Sequence, residues 1–201
     1  EDSGWYPYRV AGDASVTVSD NQAMAGGTKS LLYRDPRGAP ENEVITLTEH
    51  RPIVRSHVTF KLFVPSFNER LVIRGGNTNG FVAWEIWLVT HAVDGNVIAV
   101  RDGSGNMYYT PGVPFPLGQW NTIEVVADCL TNIHAVAING TPYRMGAFGA
   151  ASAALENIIF FCWPEVGGVD NTWEQAYLDD VLIEEVIDEG AAFEMPQSGP
   201  V

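Results

Sequence analysis

Apolar and polar residues alternate one for one along much of this chain. "HVTFKLFV" (His57–Val64) sets Val58, Phe60, Leu62 and Val64 in one phase and His57, Thr59 and Lys61 in the other. "FVAWEIWLVTH" (Phe81–His91) sets Val82, Trp84, Ile86 and Leu88 against Glu85, Trp87 and His91. Successive side chains of a strand point to opposite faces, so a period of two predicts half-buried strands. The same reading covers "ASVTVS", "KSLLYR", "EVITLT", "RLVIR", "NVIAVR", "MYY", "NTIEVVAD", "IHAVAI", "NIIFFCW" and "AYLDDVLIEEV". Gly, Pro, Asn and Asp punctuate the gaps. Only "GAASAALEN" (Gly149–Asn157), rich in Ala and free of β-branched residues, suits a short helix. About a dozen strands in one chain predict an all-β fold, with two packed sheets or a barrel.

Length adds that a single domain suffices. The 201 residues can bury one core, and no internal repeat or linker divides them. The expected domain is residues 1–187. The last stretch, "DEGAAFEMPQSGPV", has the composition of an extended arm or linker over 188–201. No apolar run approaches the ~20 residues of a spanning helix.

Charge narrows the partners. Net charge is −14, with Lys29 and Lys61 the only lysines, which argues against nucleic acid, whose phosphates demand a basic surface. Membrane insertion is not expected either. A start at "EDSGWYPY" without Met suggests a mature secreted protein or a piece cut from a longer one, and a secreted or cell-surface protein is the expectation. Cys129 and Cys162 leave two readings open, a disulfide between neighbouring strands or two buried thiols. With no CxxC or Cys/His cluster, structural zinc is not expected.

The segments "GQWNTIEVVAD…IHAVAING" and "ENIIFFC…EQAYLDDVLIEEV" resemble the second half of a laminin G-like or concanavalin A-like sandwich. The matching features are Trp120 opening a strand, the Ala137–Gly140 turn, and Tyr177, Asp179, Asp180 and Val181 in the closing strand. "AMAGGTKSLLYRD" (Ala23–Asp35) is similar to an early strand of carbohydrate-binding jelly rolls. The resemblance implies a two-sheet antiparallel β-sandwich, a jelly roll, that binds glycans on a concave face or loop edge. It also implies a structural calcium ion held by Asp180 with Asp13 or Asp20. Calcium takes six to eight oxygens; the plainer reading has one Asp capping a loop and the other facing water. The ExDxxE signature of laminarinase-like hydrolases is absent, as are the RxExR and QIH motifs of an alginate-lyase family with this architecture.

The polar phase of Phe81–His91 raises the functional question. If "AVDGN" turns through Val93, Asp94 and Gly95, with Gly95 left-handed, Trp87 falls beside Arg101 and His91 beside Val97. Glu85, Trp87, His91 and Arg101 then share a face. His57, Lys61 and Arg74 join them if their strands belong to the same sheet. An indole offers a platform for a sugar ring, and guanidinium grips carboxylate or sulfate with paired hydrogen bonds. The structural reading is an ordinary polar outer face, with Glu85 paired to Arg101.

The same residues can be read as chemistry. A polysaccharide lyase needs a cation on the uronate carboxylate and a base within reach of the C5 proton. His91, Arg101 and either Tyr108 or Tyr109 are of the right types. A retaining hydrolase needs two carboxylates ~5 Å apart, for which Glu85 and Glu124 are the candidates. "RDGSGNMYY" reads as a hairpin turn rather than a calcium loop, and "NGT" (Asn139–Thr141) as a tight turn rather than a glycosylation site. The leading expectation is a carbohydrate-binding domain for an acidic polysaccharide. The alternatives are a lyase, favoured over a hydrolase, or a structural subunit whose terminal arms bridge neighbours or a homo-oligomer.

Overall fold

The computed structural model describes residues 5–11, 15–35, 43–66, 70–77, 82–101, 105–149, 151–163 and 174–187. In chain order the strands are β1 (Trp5–Ala11), β2 (Ser15–Ser19), β3 (Ser30–Asp35), β4 (Glu43–Ile53), β5 (Arg55–Phe63), β6 (Arg70–Gly76) and β7 (Val82–His91). Then come β8 (Gly95–Arg101), β9 (Met107–Tyr109), β10 (Trp120–Asp128), β11 (Ile133–Ile138), β12 (Thr141–Ala147), β13 (Leu155–Trp163) and β14 (Glu174–Glu185). Among the described residues they form two seven-stranded sheets, ordered β1-β4-β13-β6-β7-β8-β9 and β12-β11-β10-β5-β14-β3-β2. This is the all-β, two-sheet jelly roll that the alternation and the motifs predict.

The alternation is what assembles it. β5 and β10 each bury every second residue, and Val58, Phe60, Leu62, Ile123 and Val125 enter a core shared with Ile73, Trp84, Ile86, Leu88, Val100 and Phe160 of the first sheet. Phe60 meets Phe160 edge to face across the sandwich, with ring centroids 5.3 Å apart. Trp84 is 1% exposed and lies over Gly75, its cross-strand partner. A Cβ on Gly75 would sit 2.3 Å from the indole, so only glycine admits that ring.

Several details differ from expectation. Residues 149 and 151–154 are irregular, and Leu155 already opens β13; the short helix is not there. Leu155 is instead buried in the core. The alternation misses β1 and β12. Both are edge strands carrying a proline, and an edge needs neither a buried face nor every ladder donor. β1 pairs with β4 of its own chain, so Trp5–Ala11 forms the edge strand of this domain's first sheet. The 188–201 arm lies outside the described residues. Cys129 is a buried free thiol, its pKa pushed up to about 11 by burial and by Asp128; the Cys162 side chain lies outside the described residues. No helix among the described residues is long and apolar enough to cross a membrane.

Candidate functional site

The first sheet's outward face is built in rows across its strands. Pairing places Arg74 beside Glu85 and Glu85 beside Arg101. The next row runs Val72, Trp87, Ala99 and Tyr109. Gly95 is left-handed at φ 73°, as the turn reading expects, but the loop residues are Ala92, Val93 and Asp94, with His91 opposite Gly95. The register therefore slips by two from the predicted pairing. An even slip keeps every side chain on its face, so Arg101 stays on the outward side and moves from Trp87 to Glu85.

Glu85 organises this row. It is 4% exposed, and a carboxylate so placed demands partners. Its Oε1 accepts from Trp87 Nε1 and from an Arg101 terminal nitrogen at 3.3 Å. Burial pushes the Arg74 guanidinium below its ordinary value; Glu85 opposes that shift and Arg101 adds to it. Trp87 is thereby held by its N–H and is half-buried. Arg101 keeps 46% of its side chain exposed, with most of its donor fork left to solvent among the described residues. Gly105 passes close above it: a Cβ there would lie 3.5 Å from the guanidinium.

A second group stands at the hairpin tip. Tyr109 Oη lies 3.1 Å from His91 Nε2, and the two rings are 4.6 Å apart. His91 Nδ1 faces the amides of Val93 and Asp94 and, at 3.3 Å, Asp94 Oδ2. A neutral ring accepting those amides at Nδ1 carries its proton on Nε2, aimed at Tyr109; a protonated ring turns Nδ1–H to Asp94. Asp94 is itself held by the amide of Gly112. Desolvation and Asp94 push the Tyr109 phenol above its ordinary value.

The remaining candidates do not join this face. His57 and Lys61 belong to β5 in the other sheet, and alternation alone cannot tell which sheet a strand enters. Tyr108 shares its face with Val100, opposite to Tyr109, and Arg144 lies 4.7 Å over its ring. Glu124 points outward from the second sheet beside Thr59, so it and Glu85 look away from each other and cannot flank one glycosidic bond. Asp180 is exposed and left-handed, φ 48°, at a bulge in β14; its amide is held by Asp179 Oδ1. Asp tolerates that conformation, which accounts for an acid inside a strand. Asp20 is exposed just past β2, and Asp13 lies outside the described residues. No group of three or more His, Cys, Asp or Glu suited to a metal occurs among the described residues.

Sequence reading passed over two contributors. Asp94 registers in "AVDGN" only as a turn residue, although its place three positions after His91 was a usable signal. Tyr143 lies in the unpredicted β12; it donates to Ile98 O at 2.5 Å and accepts from Thr110 N at 3.0 Å, bracing β8 and the loop after β9.

No protein-family model matches the sequence, and no curated protein matches it as a relative. Solved structures do resemble the fold. A sialidase superposes with a TM-score of 0.74 at 15% identity over 92% of this chain and 17% of its own. The chain thus spans less than a fifth of that protein's length. The cellulose-induced protein Cip1 gives 0.67 at 12% identity over 90% of each chain. A GH131 β-glucanase catalytic domain from Podospora anserina gives 0.60 at 14% identity, over 92% of this chain and 86% of that one. At such identities the likeness is one of fold, the concanavalin A-like jelly roll.

Proposed function

We propose that the protein binds carbohydrate, and specifically an acidic polysaccharide, on the outward face of its first sheet, at or outside the cell surface. The carrying observation is the half-exposed Arg101 guanidinium, set by buried Glu85 next to Trp87. Arg101 is the solvent-exposed cation of this row, and a sugar carboxylate or sulfate is the group it would meet. The fork of Arg101 suits such a group, and the indole suits the apolar face of the sugar ring carrying it. The fold's likeness to a sialidase and a β-glucanase domain is in keeping with a carbohydrate ligand.

Migration in gels containing alginate, ulvan or pectin tests this reading. The protein is expected to be retarded by at least one of them. Arg101→Ala and Trp87→Ala should each weaken retardation roughly 10- to 100-fold, the loss of one charge-assisted bond or one stacking face. Two variants that melt like the wild type and bind as well would overturn it.

One observation favours a second reading, a polysaccharide lyase. Tyr109, His91 and Asp94 form a connected chain of proton-carrying groups. In β-elimination a base takes the C5 proton, the C4–O4 bond breaks and a second group protonates the leaving oxygen. In the tautomer whose Nδ1–H donates to Asp94 Oδ2, His91 Nε2 carries the lone pair for the first role, and Tyr109, which retains its proton, suits the second. New ultraviolet absorbance from unsaturated ends, lost in Tyr109→Phe, would establish the lyase; retardation without product supports binding alone.

A further inference from the structure

The second sheet carries an aromatic row on its own outward face. Trp120, Phe63 and Tyr177 are cross-strand neighbours on β10, β5 and β14. Phe63 lies 5.6 Å from Trp120 and 5.8 Å from Tyr177, centroid to centroid. Tyr177 is buried, whereas Trp120 and Phe63 are partly exposed. Their tilted rings make a ledge about one strand spacing wide, ~5 Å, close to one pyranose unit. The Trp120 indole N–H has no hydrogen-bond partner among the described residues and is not sealed from solvent. A partly exposed indole with an open donor can give a ligand both a stacking face and a hydrogen bond.

Charge tells which ligand fits. Away from the ledge, Arg55 pairs with Asp128 at 3.2 Å and His57 lies 3.6 Å from Glu124 and 3.9 Å from Glu184. Arg34 of β3 stands beside Gln175 on this face, with its Nε enclosed and without a hydrogen-bond partner among the described residues. Lys61 stands opposite Asp179 and donates to Thr122. An anionic chain stacked on Trp120 and Phe63 would find the nearby Lys61 already engaged and would meet the field of a molecule carrying −14. A neutral chain meets no such penalty, and its hydroxyls can accept from the indole N–H.

We infer that this face is a second carbohydrate site, which takes a neutral polysaccharide by stacking sugar rings on Trp120 and Phe63. It is independent of the first sheet's site, since the two look outward from opposite sides of the sandwich. Affinity gels with hydroxyethyl cellulose and laminarin as probes test it. The wild type is expected to be retarded by one of them. Trp120→Ala should lose about tenfold in apparent affinity, Trp120→Phe should retain part of it, and Arg101→Ala should behave as wild type. If Trp120→Ala does not fold, intermediate weakening in Trp120→Phe carries the result. Absence of retardation by both probes, or Trp120 variants bound as tightly as wild type, overturns the inference. Neither outcome touches the Arg101 site, which is read on anionic polysaccharides.

Discussion

His134 occupies a position where a nonpolar ring would pack as well. It is fully buried, stacked on Phe148 at 6.2 Å and 3.1 Å from where a Cβ on Gly146 would lie. Neither ring nitrogen has a hydrogen-bond partner among the described residues. Burial pushes its pKa down from 6.5 to about 4, so the folded protein holds it neutral. Below pH 6.5 the unfolded chain binds a proton that the folded chain refuses. Stability from this residue is thus complete above pH 6.5 and lost progressively as pH falls to 4, by roughly 3 kcal/mol. Denaturant melts of wild type and His134→Gln across that window should diverge by this amount, wild type being the more pH-sensitive. Parallel curves would remove His134 from the account. Taking the difference cancels the many carboxylates that titrate nearby.

At the scale of elements, turns were legible where local chemistry governs them. Asn139 and Gly140 join β11 to β12 as a two-residue turn with both φ positive, 52° and 73°, the type I′ geometry that Asn-Gly favours. The Asn139 side-chain nitrogen donates to Asn121, in keeping with the turn reading of "NGT". Gly140→Ala is expected to cost about 1–2 kcal/mol through its left-handed backbone, seen as a lower denaturant midpoint at unchanged slope. An unchanged midpoint would mean the turn relaxes. The β7–β8 hairpin shows the limit of such reading. Gly95 was recognisable as the left-handed residue, yet whether it closes the loop or opens the next strand depends on cross-strand packing. That choice moved Arg101 by two positions.

For the whole molecule, the decisive feature is two outward faces of different charge balance on a strongly acidic body. Long-range repulsion from −14 should slow the approach of an anionic polysaccharide, while the Arg101 contact acts only at close range. Raising salt from low ionic strength shortens the Debye length from ~30 Å toward ~10 Å and is expected to speed association before it weakens the ion pair. Stopped-flow measurements with alginate should therefore show an on-rate that rises with salt. A rate falling from the lowest salt onward would mean attraction dominates from afar, and the local-site picture would fail.

The amino-acid sequence by itself determined most of the strands, the face each of their side chains takes and the all-β class, because alternation and turn chemistry act over a few neighbouring residues. It also placed Glu85, Trp87, His91 and Arg101 on one face, since parity survives an even slip in register. Tertiary structure alone decided which strands share a sheet. It separated His57 and Lys61 from Arg74, turned Tyr108 away from Tyr109, and put Glu124 on the far side from Glu85. Strand partnership rests on contacts between residues distant along the chain, and a period of two is the same in either sheet.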